Sequence, residues 1–268
     1  MRYSFSTLGC MSASLDDVIR AAHDSGMSGI ELRTSRDGTL FGLPAIENAP
    51  LIRSRLSAAG IAVTDLAAGI TVSGYSPDLI RSSADDISLA AALGAPGIRI
   101  FLRRRKGDAD NSASVPGIVA ALSEMADAAA ASGVALYIET HGEFSRGEDV
   151  RSVIDLIGKR NVFAIWDVIH TLEYGEDPRR SVEVLSDRLA HVHIKDGVRV
   201  DGKVQYLHTD LGKGTVPFGD VLRILEGSGY AGFVSLEWEA PWRQEIRDLY
   251  PTVSGLLSAY PKYIEDNE

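Results

Sequence analysis

Cysteine is almost absent from this sequence: Cys10 is the only one in 268 residues. No intrachain disulfide can form, and a reducing compartment is expected. Long apolar runs are missing too. No segment approaches the roughly 18 consecutive apolar residues that span a bilayer. Asp16 and Asp17 interrupt the N-terminal stretch before any signal-type apolar core develops. The expectation is a cytoplasmic protein with no membrane partner. Positive charge is also scarce, with 27 Lys and Arg against 37 Asp and Glu and a formal net charge of −10. Nucleic acids and anionic membranes are bound through excess Lys and Arg, so neither is an expected partner. The one basic run, "RRRKG" at Arg103–Gly107, reads as a solvated loop or as a rim that attracts an anionic substrate or another subunit. A G-x-G-x-x-G turn is lacking at the first strand–helix junction, "STLGCMSASLDD", which argues against dinucleotide binding. Cys10 itself has no neighbour that would activate a thiol and reads as a packing residue.

What the sequence does contain is alternation. Short apolar runs predict strands at Tyr3–Leu8, Gly29–Arg33, Ala62–Ala67, Gly97–Leu102, Val134–Glu139, Val162–Asp167, His191–Lys195 and Phe233–Glu239. Amphipathic segments between them predict helices near 15–25, 46–59, 76–93, 115–132, 147–158, 179–187, 217–228 and 243–260. Three junctions repeat a pattern of Gly, two residues, Gly and an apolar strand: "GMSGIEL", "GAPGIRI" and "GYAGFVSL". A glycine just past a helix can take the left-handed conformation that ends it. Strict alternation requires a parallel sheet, and eight units allow it to close. With no linker or composition shift, the expected fold is α/β, a single (β/α)8 TIM barrel over residues 1–268.

In such a barrel the active site lies at the C-terminal ends of the strands. The fifth strand ends in Glu139, with His141 two residues on. The sixth ends in Asp167, followed by His170. The seventh, "HVHIKDG", aligns His191, His193 and Lys195 on one face by strand alternation. The eighth ends in Glu237 and Glu239. Buried carboxylates and imidazoles on adjacent strands repel or stay unpaired unless something neutralises them, and a divalent cation does so. Glu139, Asp167, His193 and Glu237 form a set of three carboxylates and one imidazole. That set suits Mn²⁺, Mg²⁺ or Co²⁺ better than a structural zinc. The first four strands carry much less of this polar ring, and His23 and His208 read as ordinary histidines.

The runs "YIETHGEF", "WDVIH", "HVHIKDG" and "GYAGFVSLEWE" resemble the sugar-phosphate isomerase/epimerase superfamily, the xylose isomerase-like TIM barrels. That group includes ketose 3-epimerases, hydroxypyruvate isomerase and inosose dehydratase. The resemblance implies Glu139, Asp167, His193 and Glu237 as metal ligands, with Mn²⁺ the favoured ion. It prefers His193 to His191 and Glu237 to Glu239. It makes His170 a substrate-binding residue and leaves His191 deeper in the barrel. Two departures bear on the substrate. The epimerases carry an Arg after the H-x-H, where this chain offers Lys195 or Arg199. The "LGKG" loop has Lys213 where an acidic residue is common. Either could suit a carboxylate- or phosphate-bearing ligand. The trinuclear zinc site of the endonuclease branch needs several histidines spread over the barrel, and of the six present only His23 precedes Glu139.

The chemistry this resemblance implies is sugar isomerisation or epimerisation by proton abstraction beside a carbonyl, through a metal-stabilised enediolate. Glu139 and Glu237 would exchange the proton, and His170, His191, Lys195 and Arg33 would hold the substrate. Trp242 is a candidate for stacking on a sugar face, whereas Trp166 reads as core. His141 offers an independent base and a second route: a lyase that eliminates from a 3-keto-glycoside, or an inosose-type dehydratase. A non-catalytic sugar-binding or structural subunit is the third reading, disfavoured because no ligand of the four is lost. A small sugar, keto-sugar or glycoside is the expected partner, with homo- or hetero-oligomers left open.

Overall fold

The computed structural model describes residues 1–200, 205–243, 246, 248–250 and 252–267. Eight parallel strands close a barrel: β1 (Arg2–Ser6), β2 (Gly29–Arg33), β3 (Ala62–Val72), β4 (Gly97–Leu102), β5 (Ala135–Glu139), β6 (Val162–Asp167), β7 (Leu189–Ile194) and β8 (Phe233–Leu236). They are ordered as in the chain, and β1 pairs with both β8 and β2. The predicted TIM barrel is the observed fold. Around it lie α1 (Leu15–Asp24), α2 (Ala45–Ala58), α3 (Pro77–Leu93), α4 (Asn111–Ala131), α5 (Gly147–Ile157), α6 (Val168–Glu173), α7 (Pro178–Leu185), α8 (Phe218–Gly227) and α9 (Val253–Glu265).

Local chemistry sets these boundaries. Ser14 caps α1 by accepting the Asp17 N–H, and Asp16 and Asp17 complement the positive end of the helix. Ser76 caps α3, Pro77 opens it, and Gly94 ends it at φ 74°. α4 begins four residues before its predicted start because Asp110 caps it through the Ala113 N–H. The last helix begins at Val253 under a Thr252 cap, not at 243. Part of the predicted 243–260 span lies outside the described residues. The short α6 was not predicted; it packs one turn and a half directly after β6.

The repeated double-glycine junction has two functions. Its first glycine takes the left-handed conformation that ends the helix. Its second leaves room for an aromatic ring: a Cβ on Gly29 would lie 2.5 Å from the Phe233 ring, and one on Gly97 would lie 2.4 Å from that of Tyr137. The sequence pattern thus closes the N-terminal end of the barrel.

The apolar core lies between barrel and helices, with Trp166, Trp238 and Phe5 essentially inaccessible. Trp166 packs in that layer as expected and donates its indole N–H to Thr171 Oγ1 at 3.0 Å. Cys10 is buried and its thiol is pushed up to about 12 by burial, which leaves it inert. The barrel interior is polar instead. Ser4, Glu31, Asp65, Arg99, His191, His193 and Ser235 are all buried within it. Among the described residues no helix is long and apolar enough to cross a membrane.

One acid in the helical layer works against stability. Burial, then the neighbouring Asp85, pushes Asp86 on α3 from 3.8 up to about 6. Between those values the folded state binds the proton that the unfolded state has released, so stability falls as pH rises through this window. The shift corresponds to about 3 kcal/mol, and solvent screening at a half-exposed position reduces that to about 1 kcal/mol. Asp86→Asn is expected to stabilise the protein by about 1 kcal/mol at neutral pH and to have no effect below about pH 4. Denaturant titrations at the two pH values measure this.

Candidate metal centre

Each element at the C-terminal rim delivers a polar group for a local reason. β5 ends in Glu139. β6 ends in Asp167, whose Oδ1 accepts the His170 N–H at 3.2 Å and so caps α6. The D-x-x-H spacing is therefore a helix cap that also places an imidazole at the rim. β7 carries His191 and His193 on its inner face. β8 stops at Leu236, earlier than predicted, and Glu237 follows with its N–H on the Ile194 carbonyl at 3.0 Å.

The four side chains converge. Glu139, Asp167, His193 and Glu237 are buried, and each offers one ligand atom within 4.8 Å of the others. Glu31 on β2 orients the histidine: its Oε2 lies 2.7 Å from His193 Nε2, and Ser6 Oγ donates to its Oε1 at 2.5 Å. Burial opposes ionisation of Glu31, but Arg99 and His193 prevail and hold it well below the usual carboxylate range. As an ionised acceptor it requires the proton on Nε2, which turns Nδ1 toward Glu237 at 3.6 Å and Glu139 at 3.9 Å.

Permanent cations fill only part of the centre. Arg99 on β4 pairs with Glu237 and lies 3.2 Å from Glu139 and 3.6 Å from Glu31. The Lys195 ammonium lies 2.5 Å from both Glu237 and Glu239, and 2.7 Å from Asp167. Glu31, Glu139, Asp167 and Glu237 thus face two fixed positive charges, one of them shared with Glu239, which also pairs with Arg243. Protons make up part of the difference. Burial and, against it, Arg99 leave Glu139 at about 7. Burial lowers His193, but Glu31 and Glu237 outweigh it and raise the imidazole to about 10.

The donor set fits a divalent cation. Glu139 Oε2, Asp167 Oδ2 and His193 Nδ1 are buried and have no hydrogen-bond partner among the described residues. Lys195 lies 2.7 Å from Asp167 Oδ2 and Arg99 lies 3.2 Å from Glu139 Oε2, so a divalent cation or protons have only the remaining part of the burial cost to offset.

Beside this cluster opens a cavity of about 520 Å³, walled by Arg103, His141, His170, Glu173, Tyr174 and Arg243. His141 and His170 meet edge to face at 4.4 Å. Each offers a ligand atom within 4.8 Å of Glu139. Burial, then His170 and Arg103, pushes His141 down to about 3, so it is neutral at neutral pH. His170 Nδ1 lies 3.2 Å from Glu173. Burial opposes its protonation, but Asp167 and Glu173 raise it to about 8. A larger groove of about 720 Å³ between α7 and α8 contains none of these groups.

Other expected residues lie differently. His191 is deeper than His193, 4.0 Å from Asp65, and does not line the cavity. Arg33 is half-buried and donates to the Ala67 carbonyl at 3.0 Å, outside the cavity wall. Lys195 is engaged with carboxylates. Arg199 and Lys213 are exposed. The "LGKG" loop instead wraps Asp196, whose Oδ2 accepts the N–H groups of Gly212 and Gly214 at 2.8 and 3.0 Å. Trp242 is exposed at the rim.

The expected half-ring is incomplete in one respect: the first four strands contribute Glu31, Asp65 and Arg99. A lone charge inside an apolar strand, as in "GIELR" and "GIRIFL", was the available signal. His208 was read as ordinary, yet it is buried with Nε2 unpartnered among the described residues, and burial lowers it to about 4.

Comparison with known proteins agrees with this architecture. A family profile described as xylose isomerase-like TIM barrel matches residues 19–252. The probable 3-DHS dehydratase AsbF involved in petrobactin synthesis, from Bacillus anthracis, is similar over 100% of both chains, with TM-score 0.81 and 18% identity. The IOLI protein with a bound zinc atom is similar over 99% of this chain and 97% of its own, with TM-score 0.80 and 17% identity. D-psicose 3-epimerase, solved in the presence of D-fructose, is similar over 99% and 98%, with TM-score 0.79 and 17% identity. Identities this low establish a shared fold. No curated protein sequence matches the chain.

Proposed function

The chain belongs to the xylose isomerase-like TIM-barrel family, and on that premise we propose that it is a divalent-metal-dependent enzyme that enolises a sugar or keto-sugar. The observation that supports this reading is the buried cluster of Glu139, Asp167, His193 and Glu237, whose ligand atoms converge within 4.8 Å of one another. These four residues would hold the ion, and Mn²⁺ or another oxygen-favouring cation suits the donors. Once bound, the ion would act as a Lewis acid toward the oxygens on which negative charge develops.

The protein's own groups account for the rest. Glu31 accepts from His193 Nε2, which leaves Nδ1 as the nitrogen that would meet the ion once its proton is displaced. Burial opposes ionisation of Glu237, but Lys195, then His193 and Arg99, hold it well below the usual carboxylate range. Glu139 and Glu237 come from non-adjacent strands and are the groups proposed to remove and return the proton beside the carbonyl. Return to the opposite face epimerises that carbon, and return to the neighbouring carbon isomerises the sugar. His170 would hold a substrate hydroxyl through Nε2, which has no partner among the described residues.

His141 supports a second outcome. It is neutral, its Nδ1 is unpartnered among the described residues, and it lines the cavity beside Glu139. A neutral imidazole there can take a proton from the carbon next to a keto group, and loss of a β-substituent then gives elimination. Deuterium exchange from D₂O into ketoses and 3-ketoglycosides tests the proposal. Exchange is expected with the metal-loaded protein and not after chelation. Absence of metal-dependent exchange across the panel refutes enolisation. Release of aglycone at the wild-type rate by His141→Ala would exclude that residue as the eliminating base.

A further inference from the structure

The cavity beside the metal cluster is lined by two guanidinium groups, those of Arg103 and Arg243, and we infer that the enzyme's substrate carries an anionic group, a carboxylate or a phosphate, distal to the reacting carbonyl. This rests on the proposed enolisation site and names its substrate class.

Arg103 is the first of the four basic residues in the "RRRKG" run. It alone turns inward: Arg104, Arg105 and Lys106 are exposed, whereas Arg103 is half-buried and lines the cavity. A glycine in the neighbouring loop leaves room for it. Gly142 takes φ 60°, and a Cβ there would lie 1.6 Å from Arg103 Nη1. The guanidinium therefore lies across residue 142, next to His141, in space that any other side chain would occupy. Among the described residues its ion-pair partner is Glu143 at 3.6 Å, beyond hydrogen-bonding length. Its donors remain available to a ligand.

Arg243 lines the same cavity from the segment after β8. Its Nε donates to Glu239 at 3.0 Å. Its terminal nitrogens make no hydrogen bond among the described residues.

The carboxylates nearby are already engaged. Glu239 is shared between Arg243 and Lys195. Glu173 accepts the Tyr206 N–H at 2.9 Å through Oε1 and faces His170 through Oε2. Arg103 and Arg243 thus present guanidinium donors with no hydrogen bond among the described residues, in a protein whose net charge is −10. Planar guanidinium forks match carboxylate and phosphate oxygens. The other unpartnered polar atoms of the wall, His141 Nδ1 and His170 Nε2, lie toward Glu139 and suit uncharged sugar oxygens. The arrangement orders a substrate along the cavity: carbonyl at the carboxylate cluster, hydroxyls on the histidines, anion at the arginines.

Calorimetric titration of the Mn²⁺-loaded protein with D-fructose, D-fructose 6-phosphate and 5-keto-D-gluconate tests this. One of the two anionic ketoses is expected to bind about tenfold or more tighter than D-fructose, and the one preferred distinguishes phosphate from carboxylate. The preference is expected to shrink toward unity in Arg103→Gln, to return in part in Arg103→Lys, and to weaken with added salt. Thermal melts check that the variants remain folded. Equal binding of all three probes, no binding by any, or a preference that survives in both Arg103→Gln and Arg243→Gln overturns the inference. Deuterium exchange is read in parallel. Anion-selective binding without exchange would remove the enolisation proposal and leave the anion site standing.

Discussion

Asp167→Asn is expected to lower divalent-metal affinity by about 100-fold or more and to abolish measurable deuterium exchange, while leaving the protein folded. The two carboxylate oxygens of Asp167 have separate functions. Oδ1 caps α6 by accepting the His170 N–H, and an asparagine can reproduce that bond, since Asn and Asp are equally good caps. Oδ2 is buried, lies 2.7 Å from the Lys195 ammonium and faces the ligand atoms of Glu139, His193 and Glu237. An amide nitrogen in its place is a donor and cannot ligate a cation. The variant also leaves Lys195 its pairing with Glu237 and Glu239, so a stability change within about 1 kcal/mol is expected. Metal analysis after gel filtration, followed by a denaturant titration, separates the two effects. A variant that keeps one tightly bound metal per chain would remove Asp167 from the ligand set.

Arg99→Leu is expected to destabilise the metal-free protein by about 3–5 kcal/mol, because it strands carboxylates that the guanidinium now compensates. Arg99 is buried, pairs with Glu237 and lies within 3.6 Å of Glu31 and Glu139. Those interactions raise it well above its ordinary value despite the opposing effect of burial. Leucine fills part of the volume but supplies no charge. A divalent ion at the proposed ligands would restore part of the deficit, about 2.7 kcal/mol at a metal concentration 100 times the dissociation constant. The wild type should gain the same increment from a higher baseline, so the two denaturation curves shift together and stay separated with or without metal. An Arg99→Leu protein as stable as wild type in chelator would show that protonation of Glu139 or its neighbours replaces the guanidinium at little cost.

Much of this centre was legible from the strand ends. Glu139, Asp167, His193 and Glu237 stand where apolar runs stop, and the alternation in "HVHIKDG" shows which side chains share a face. Helix signals were similarly local, in Ser14, Ser76 with Pro77, and Gly94. Errors arose where one residue had two readings. Asp110 belongs to an acidic loop but caps α4. Arg103 belongs to a basic run but crosses Gly142 into the cavity. Lys213 looked like a departure within a ligand loop, yet that loop is organised by Asp196 and points its lysine outward.

The sequence by itself determined the eight βα units, the parallel sheet they require and the four polar residues at or next to the C-terminal ends of β5 to β8. Those features depend on periods of two and 3.6 residues and on caps, all of which act within a few positions. Only the tertiary structure decided how the charges are compensated. Glu31 reaches His193 across 162 positions of chain, and Arg99 reaches Glu237 across 138. Alternation tells that a side chain faces the barrel interior, but not which strand lies opposite at the same level. Closure of β1 onto β8 and the register of each strand pair set those distances, and with them the tautomer of His193 and the charge left for a cation to neutralise.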